Sequence, residues 1–383
     1  MRILHIIATL DPAAGGPVQS VRTLMSYTSI GYIGEVVTFD RPDSPFLKDL
    51  KFPVHPLGAE GATYGYTPKL IPWLKANQRR FDGIVVNGLW QFCGLGARLS
   101  AKGIKPYLVF SHGMLDPYFK KTFPLKHFKK AIYWYLAEYW VLKGAYRVLF
   151  TTAQEEKLAR QSFALNDWTS QVVPYGSGGP PCTAEECLPS FFEQMPAMQG
   201  KRFLVYLGRI HRKKGVDLLV EAFARKAHLD PALELVIGGP DQQGWATDLQ
   251  KIAETAGVSD RIHWPGMLEG RSKWGALYAA EAFILPSHQE NFGIAVAEAL
   301  SCSLPVLVSD QVNIAPEVVS DGIGLMEPDT LEGTEDLIER WIKVSPEERK
   351  GMRTRALQSF HTRYDSQETA KTVIALFEQA QQR

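Results

Sequence analysis

The chain has 383 residues, with 42 Lys+Arg against 41 Asp+Glu, 45% hydrophobic and 22% charged side chains. At roughly 150 residues per domain this predicts two globular domains, and it excludes a repetitive or disordered scaffold. A formal net charge of +1 gives no case for nucleic acid as a partner. The charge is unevenly divided, however. Residues 1–176 hold 21 basic and 12 acidic side chains, a net of +9, which leaves −8 for the remainder. A basic first half suits an anionic surface or substrate; two domains with unrelated surfaces are the plainer alternative. Four cysteines (Cys93, Cys182, Cys187 and Cys302) are too sparse and irregular for a disulfide framework or a zinc site, which predicts a reducing, cytoplasmic setting. The opening apolar run ends at Asp11-Pro12 and reads as a first buried strand rather than a leader, and no apolar run approaches the ~20 residues of a membrane span.

In chain order, short β-branched runs at 3–8, 35–38, 83–87, 107–111, 147–151 and 171–174 alternate with stretches long enough for crossover helices. This is the pattern of a doubly wound parallel sheet. Glycines and prolines then cluster without periodicity, so the first domain is expected over 1–176 and a linker over 177–200. A second alternating series follows over 201–365. Its strands are expected at 202–207, 233–237, 261–264, 282–286 and 305–309, and its helices near 215–226, 246–256, 271–279 and 293–301. The implied fold is α/β: two Rossmann-like domains facing each other across a cleft. A last helix, about 366–383, carries Thr369, Val373, Leu376, Phe377 and Ala380 on one stripe and is able to cap either domain, packing back onto the first included.

Two loops in the second series concentrate chemistry. Gly208-Arg-Ile-His-Arg-Lys-Lys-Gly215 follows the first strand and precedes a helix, at the carboxyl edge where open α/β sheets bind ligands. Arg209 offers a planar donor fork and Lys214 a mobile point charge, a pair suited to a diphosphate; a solvated basic turn is the plainer reading. Glu290-Asn291-Phe292-Gly293-Ile294 also follows a strand and opens a helix, whose free N-terminal amides favour phosphate. Glu298 lies inside that helix, and even on one continuous helix it would stand too far from Glu290, along the axis and around it, to form an acid/base pair. The two glutamates are therefore expected to touch different parts of one elongated ligand.

These residues resemble the donor site of retaining nucleotide-sugar glycosyltransferases of family 4, which have the GT-B fold. The resemblance rests on Gly-Arg-x-x-x-x-Lys-Gly and on two glutamates separated by seven residues. It implies that Arg209 and Lys214 bind the diphosphate, that Glu290 holds a hydroxyl of the transferred sugar and acts in catalysis, and that Glu298 holds the ribose. It also implies that Asn291, Phe292, Gly293 and Ile294 contact sugar and phosphate through their amides. In the first domain Gly15-Gly16 resembles the family's glycine pair near the donor, and His112, after the strand at 107–110, resembles its active-site histidine. Asp116 is placed to orient His112 or to contact acceptor, and Trp90 is a candidate acceptor platform or a core side chain. One departure from the family's pattern is Asn313-Ile-Ala-Pro-Glu317, which lacks the usual glycine pair before Pro-Glu and leaves the sugar preference open.

Five lysines lie within eleven positions (Lys120, Lys121, Lys126, Lys129 and Lys130), followed by an apolar, aromatic helix to residue 142. A buried helix is one reading. The other is a basic, aromatic patch on an anionic membrane surface or a lipid diphosphate. The resulting expectation is a metal-independent, retaining hexosyltransferase that uses a UDP-sugar and a saccharide or lipid-linked acceptor in polysaccharide biosynthesis. It needs no cofactor and works in the cytoplasm or at the inner membrane face. A nucleotide-sugar epimerase and a non-catalytic nucleotide-binding subunit of an assembly complex are the alternatives.

Overall fold

In the computed structural model, which describes residues 1–58, 64–101, 103–117, 120 and 124–382, the chain divides into two units. One is Met1–Gly176 with Ser366–Arg383, the other Ser177–Asp365. The first holds seven strands: β1 (Arg2–Ile7), β2 (Ile33–Thr38), β3 (Val54–Pro56), β4 (Gly83–Asn87), β5 (Tyr107–Phe110), β6 (Arg147–Phe150) and β7 (Ser170–Val172). They form one sheet in the order β3-β2-β1-β4-β5-β6-β7, with every pairing parallel. The inner strands β4 and β5 are buried along their whole length, which explains their near-continuous Val, Ile and Leu runs. The second unit holds β8 (Arg202–Leu207), β9 (Leu233–Gly238), β10 (Ile262–Gly266), β11 (Ala282–Leu285), β12 (Val306–Ser309) and β13 (Gly324–Glu327). Their order is β10-β9-β8-β11-β12-β13.

Each sheet therefore reverses its winding beside its own first strand, between β1 and β4 and between β8 and β11. Loops leaving adjacent strands at such a switch diverge over opposite faces and open a crevice at the carboxyl edge. This topology brings together 208–215 and 286–293, so that Ser287 meets Lys213 across 74 residues of sequence.

The C-terminal helix Ser366–Gln381 belongs to the first unit. Thr369 Oγ1 donates to the Pro174 carbonyl at 2.7 Å, and the Phe377 ring lies so close to Gly83 that a Cβ there would come within 2.1 Å of it.

Three expectations need correction. Segment 177–200 is not a bare linker: it carries helix Ala184–Gln194, begun by Thr183, whose amide donates to Glu186 at 3.0 Å. That helix packs on Gly270–Ala279, where a Cβ on Gly275 would sit 2.5 Å from the Cys187 carbonyl, so only glycine permits the approach. Pro189 within the helix and the prolines around it hid its period. Secondly, Cys182 and Cys187 are joined as a disulfide at the start of this helix, while Cys93 and Cys302 are free and buried. Thirdly, the apolar helix after the lysines is not wholly buried. It runs Pro124–Tyr133, then through a π-turn at Trp134–Glu138, then Tyr139–Gly144. The π-turn adds a residue per turn and rotates the residues beyond it about the helix axis. Trp134, Tyr139, Val141 and Leu142 turn inward, while Phe128, Ile132, Tyr135, Leu136 and Trp140 remain exposed. Residues 118, 119 and 121–123 of the lysine-rich stretch lie outside the described residues.

The inward turn also buries Glu138, whose two carboxylate oxygens have no hydrogen-bond partner. Burial pushes its pKa up to about 8, against the lowering effects of the nearby Trp90 amide and the Lys130 charge. The native state thus keeps a proton that the unfolded chain releases above its ordinary value near 4.5. Stability is lost as pH rises between these values. Chemical denaturation of Glu138→Gln against wild type from pH 5 to 8 is expected to show the wild type falling behind by up to about 1.4 kcal/mol per pH unit. A constant difference contradicts the burial argument.

Candidate active site

The second unit's two chemical loops are locked together by backbone contacts. His288 N donates to the Lys213 carbonyl at 2.9 Å, as does Ser287 Oγ at 2.8 Å. Gly215 has φ +63°, and a Cβ there would lie 2.0 Å from the Pro286 carbonyl, so the glycine that ends the basic loop is required by the crossing of the two. Within the basic loop, His211 Nδ1 accepts from Lys213 N at 3.1 Å, and Tyr206 Oη donates to the Arg209 carbonyl at 2.8 Å. The Arg209 side chain is exposed. Burial, then the charges of Arg209, Lys213 and Lys214, lower the His211 pKa and favour its neutral form.

Lys214 and Glu290 form a direct ion pair, with both side chains 19% exposed. The fold thus brings the last cation of the basic loop into contact with the carboxylate that opens the second loop. Glu290 is held by backbone on both sides. Its amide donates to Gln311 O at 3.1 Å, and its carbonyl accepts from Asn313 N at 3.0 Å. The segment that departs from the family pattern is therefore attached directly to Glu290, with Asn313 Nδ2 donating to Asn291 Oδ1 at 3.3 Å.

Helix Ile294–Ser301 starts after Gly293, which has φ +79°; the Val296 and Ala297 amides donate to the Gly293 carbonyl at 2.8 and 3.3 Å, which leaves those of Ile294 and Ala295 at the open N-terminus of the helix. The Phe292 side chain is buried against Tyr364, ring centroids 5.8 Å apart, so only its backbone is available to a ligand. Glu298 pairs with Lys273 at 2.7 Å. Sequence reasoning missed Lys273, because nothing in its spacing relates helix Gly270–Ala279 to Glu298.

In the first unit, Gly15 has φ +87° and open space around its absent Cβ, and Gly16 begins helix Gly16–Leu24. His112 follows β5 in a left-handed conformation, φ +52°. Its Nε2 lies 3.0 Å from Tyr175 Oη, and its Nδ1 has no hydrogen-bond partner. The imidazole thus meets Tyr175, while the Asp116 amide donates to the Gly113 carbonyl at 3.2 Å. Tyr175 escaped notice because it stands where the sequence pattern breaks. Burial, then the nearby His5, lower the His112 pKa to about 3, which favours the neutral imidazole. Trp90 is mostly enclosed: its Nε1 donates to Met114 O at 3.1 Å, Phe163 lies 5.4 Å from its ring, and Lys130 Nζ sits 4.6 Å over that ring. This favours a packing role over an open sugar platform.

Residues 189–359 match the family described as Glycosyl transferases group 1, and 15–176 match the Glycosyl transferase 4-like domain. Among curated proteins, a D-inositol 3-phosphate glycosyltransferase of Actinosynnema mirum is 37% identical over 127 residues, 31% of this chain and 30% of that protein. Another so named, from Nocardiopsis dassonvillei, is 30% identical over 199 residues, 48% and 44% respectively. The chain spans less than half the length of these relatives. Among solved structures, sucrose-phosphate synthase of Thermosynechococcus elongatus superposes with a TM-score of 0.75 at 21% identity, over 99% of this chain and 98% of that one. HepE of Anabaena, solved with UDP and glucose, gives 0.76 at 16% identity, over 99% and 100%. At these identities the likeness is one of fold.

Proposed function

Because this chain belongs to the GT-B glycosyltransferases of family 4, we propose that it transfers a hexose from a UDP-sugar to a saccharide or lipid-linked acceptor, with retention and without a metal ion. One observation carries the reading: the crossed loops after β8 and β11 bring Lys214 and Glu290 into contact, with Arg209 and a helix N-terminus in the same two loops. Breaking the bond between sugar and UDP leaves negative charge on the diphosphate. Arg209, Lys214 and the amides of Ile294 and Ala295 at the helix N-terminus stabilise that charge, most strongly as the bond breaks. Lys214 exchanges its Glu290 partner for phosphate, which frees the Glu290 carboxylate to accept a sugar hydroxyl, while Glu298, held by Lys273, accepts from the ribose. The neutral His112 hydrogen-bonds a sugar hydroxyl and carries no proton to the leaving group. Support for uridine comes from HepE, solved with UDP and with UDP-glucose. UDP release from UDP-glucose is expected to proceed at the same rate in excess EDTA. A strict requirement for Mg²⁺ or Mn²⁺ contradicts the mechanism.

The acceptor class rests on the exposed face of the helical segment 128–140. Leu136 is 75% and Phe128 67% exposed, beside Ile132, Tyr135 and Trp140. The sequence from 117 to 137 contains five lysines and no acid. An exposed apolar face in a lysine-rich segment suits an anionic lipid surface, at about 1 kcal/mol per lysine. No described helix is long and apolar enough to cross a membrane, so contact would be peripheral. In flotation with phosphatidylglycerol vesicles, replacing the five lysines by glutamine is expected to reduce bound protein at least tenfold. Equal partitioning rules the surface out.

A further inference from the structure

Glu155, which plays no part in the transfer chemistry proposed for the donor loops, is 4% exposed and nevertheless fully engaged. It stands in helix Ala153–Ala159, capped by Thr152, whose Oγ1 accepts from Glu155 N at 2.9 Å. Its Oε2 accepts from Thr151 N at 2.7 Å and Thr151 Oγ1 at 2.6 Å. Its Oε1 accepts from Ser111 Oγ at 2.5 Å and from Gly113 N at 2.7 Å. Ser111 and Gly113 are the two neighbours of His112, so one carboxylate grips the chain immediately before and after that histidine.

This grip has work to do, because His112 and Gly113 adopt successive left-handed conformations, φ +52° and +74°. A residue with a Cβ holds such a conformation only where its surroundings fix it. The ring is fixed from another side. Phe110 and Tyr175 both stack near the imidazole, with centroids 5.6 Å and 5.1 Å away and interplanar angles of 17° and 23°. Tyr175 Oη meets Nε2 at 3.0 Å. Between a phenol and a neutral imidazole the phenol is the stronger acid and donates. That places the imidazole proton on Nδ1, the ring nitrogen with no partner.

We propose that Glu155 and Tyr175 are positioning residues of the transfer reaction. Glu155 holds the strained turn that presents His112, and Tyr175 selects its Nδ1–H tautomer. The proposal rests on the glycosyltransferase reading for its kinetic consequence, but not for its structural one.

The test uses the full chain with UDP-glucose, measuring UDP release, UDP affinity by calorimetry, and ¹⁵N chemical shifts of labelled histidine. Tyr175→Phe keeps the stacked ring and loses one hydrogen bond. It is expected to lower kcat about tenfold, with KM and UDP affinity unchanged and with the His112 nitrogen shifts moved towards a mixture of tautomers. Glu155→Gln, which sets an amide donor against donors, is expected to cost about 100-fold in kcat. Should it fail to fold, Ser111→Ala removes one of the four bonds and is expected to cost several-fold in kcat at unchanged UDP affinity. Unchanged kcat and unchanged His112 shifts in Tyr175→Phe and Ser111→Ala overturn the proposal. If wild type binds no UDP, the donor reading fails separately. The His112 shifts, read in the protein alone, then still decide: identical spectra for wild type and Tyr175→Phe overturn the positioning role.

Discussion

Replacing Arg209 and Lys214 together by alanine is expected to weaken UDP binding by 100-fold or more, enough to remove it from a calorimetric titration at micromolar protein. Each cation makes charge-assisted hydrogen bonds worth about 1.5–3 kcal/mol, and the two losses add where they address different phosphates. The single variants should differ. Arg209 is exposed, and its loss removes a donor fork and little else. Lys214 is paired with Glu290 in a position where both side chains are only 19% exposed. Its loss leaves an unpaired carboxylate facing the incoming diphosphate, which adds repulsion to lost attraction. Lys214→Ala is therefore expected to cost more than Arg209→Ala. Glu290→Gln in the Lys214→Ala background should recover part of the affinity, and the opposite ranking would remove the ion pair from the account.

The second large effect is expected from His112→Ala: kcat for UDP release from UDP-glucose falls about 100- to 1000-fold, while UDP affinity stays within twofold of wild type. The separation comes from placement, since the proposed diphosphate ligands lie on the loops after β8 and β11, whereas His112 lies after β5 in the first unit. The pH dependence carries the same information. With its pKa lowered to about 3, first by burial and then by His5, the imidazole stays neutral through the range in which an ordinary histidine titrates. Activity should accordingly show no acidic limb near pH 6.5 attributable to His112. A limb there that disappears in His112→Ala would mean that the ring titrates in the working enzyme.

Local regularity decided how much of this chain could be read. The inner strands were legible because strands buried on both faces are apolar throughout, as β4 and β5 are. The edge strands β3 and β13 were not. β3 is three residues ending in Pro56 and only half-buried, and β13 begins at Gly324 and loses its burial at Met326. The two loops after β8 and β11 stood out because the Arg209–Lys214 and Glu290–Glu298 spacings are each contained within one strand-loop-helix unit. What the sequence concealed were pairings made by the fold. Lys273 reaches Glu298 across two helices, Tyr175 reaches His112 from 63 residues away, and Glu155 reaches Ser111 over 44 residues. The π-turn at Trp134–Glu138 was concealed for a related reason: its apolar residues fit an ordinary helical stripe, and only the extra residue in the turn decides which of them face water.

Charge totals were the least informative observation. The acidic second half of the chain contains the Arg209–Lys214 loop, so the sign of a domain does not predict the sign of its site. The exposed aromatic face with its neighbouring lysines, by contrast, fits the basic character of the first half.

The most direct measurement of the central claim is a thermal-shift titration of the full chain with UDP-glucose, GDP-mannose and ADP-glucose. A ligand of the native state raises Tm with the logarithm of its concentration above Kd. Such a rise is predicted with UDP-glucose, abolished in the Arg209→Ala/Lys214→Ala variant. No rise with any of the three, or a rise with UDP-glucose that survives in the double variant, would contradict the assignment of the donor site.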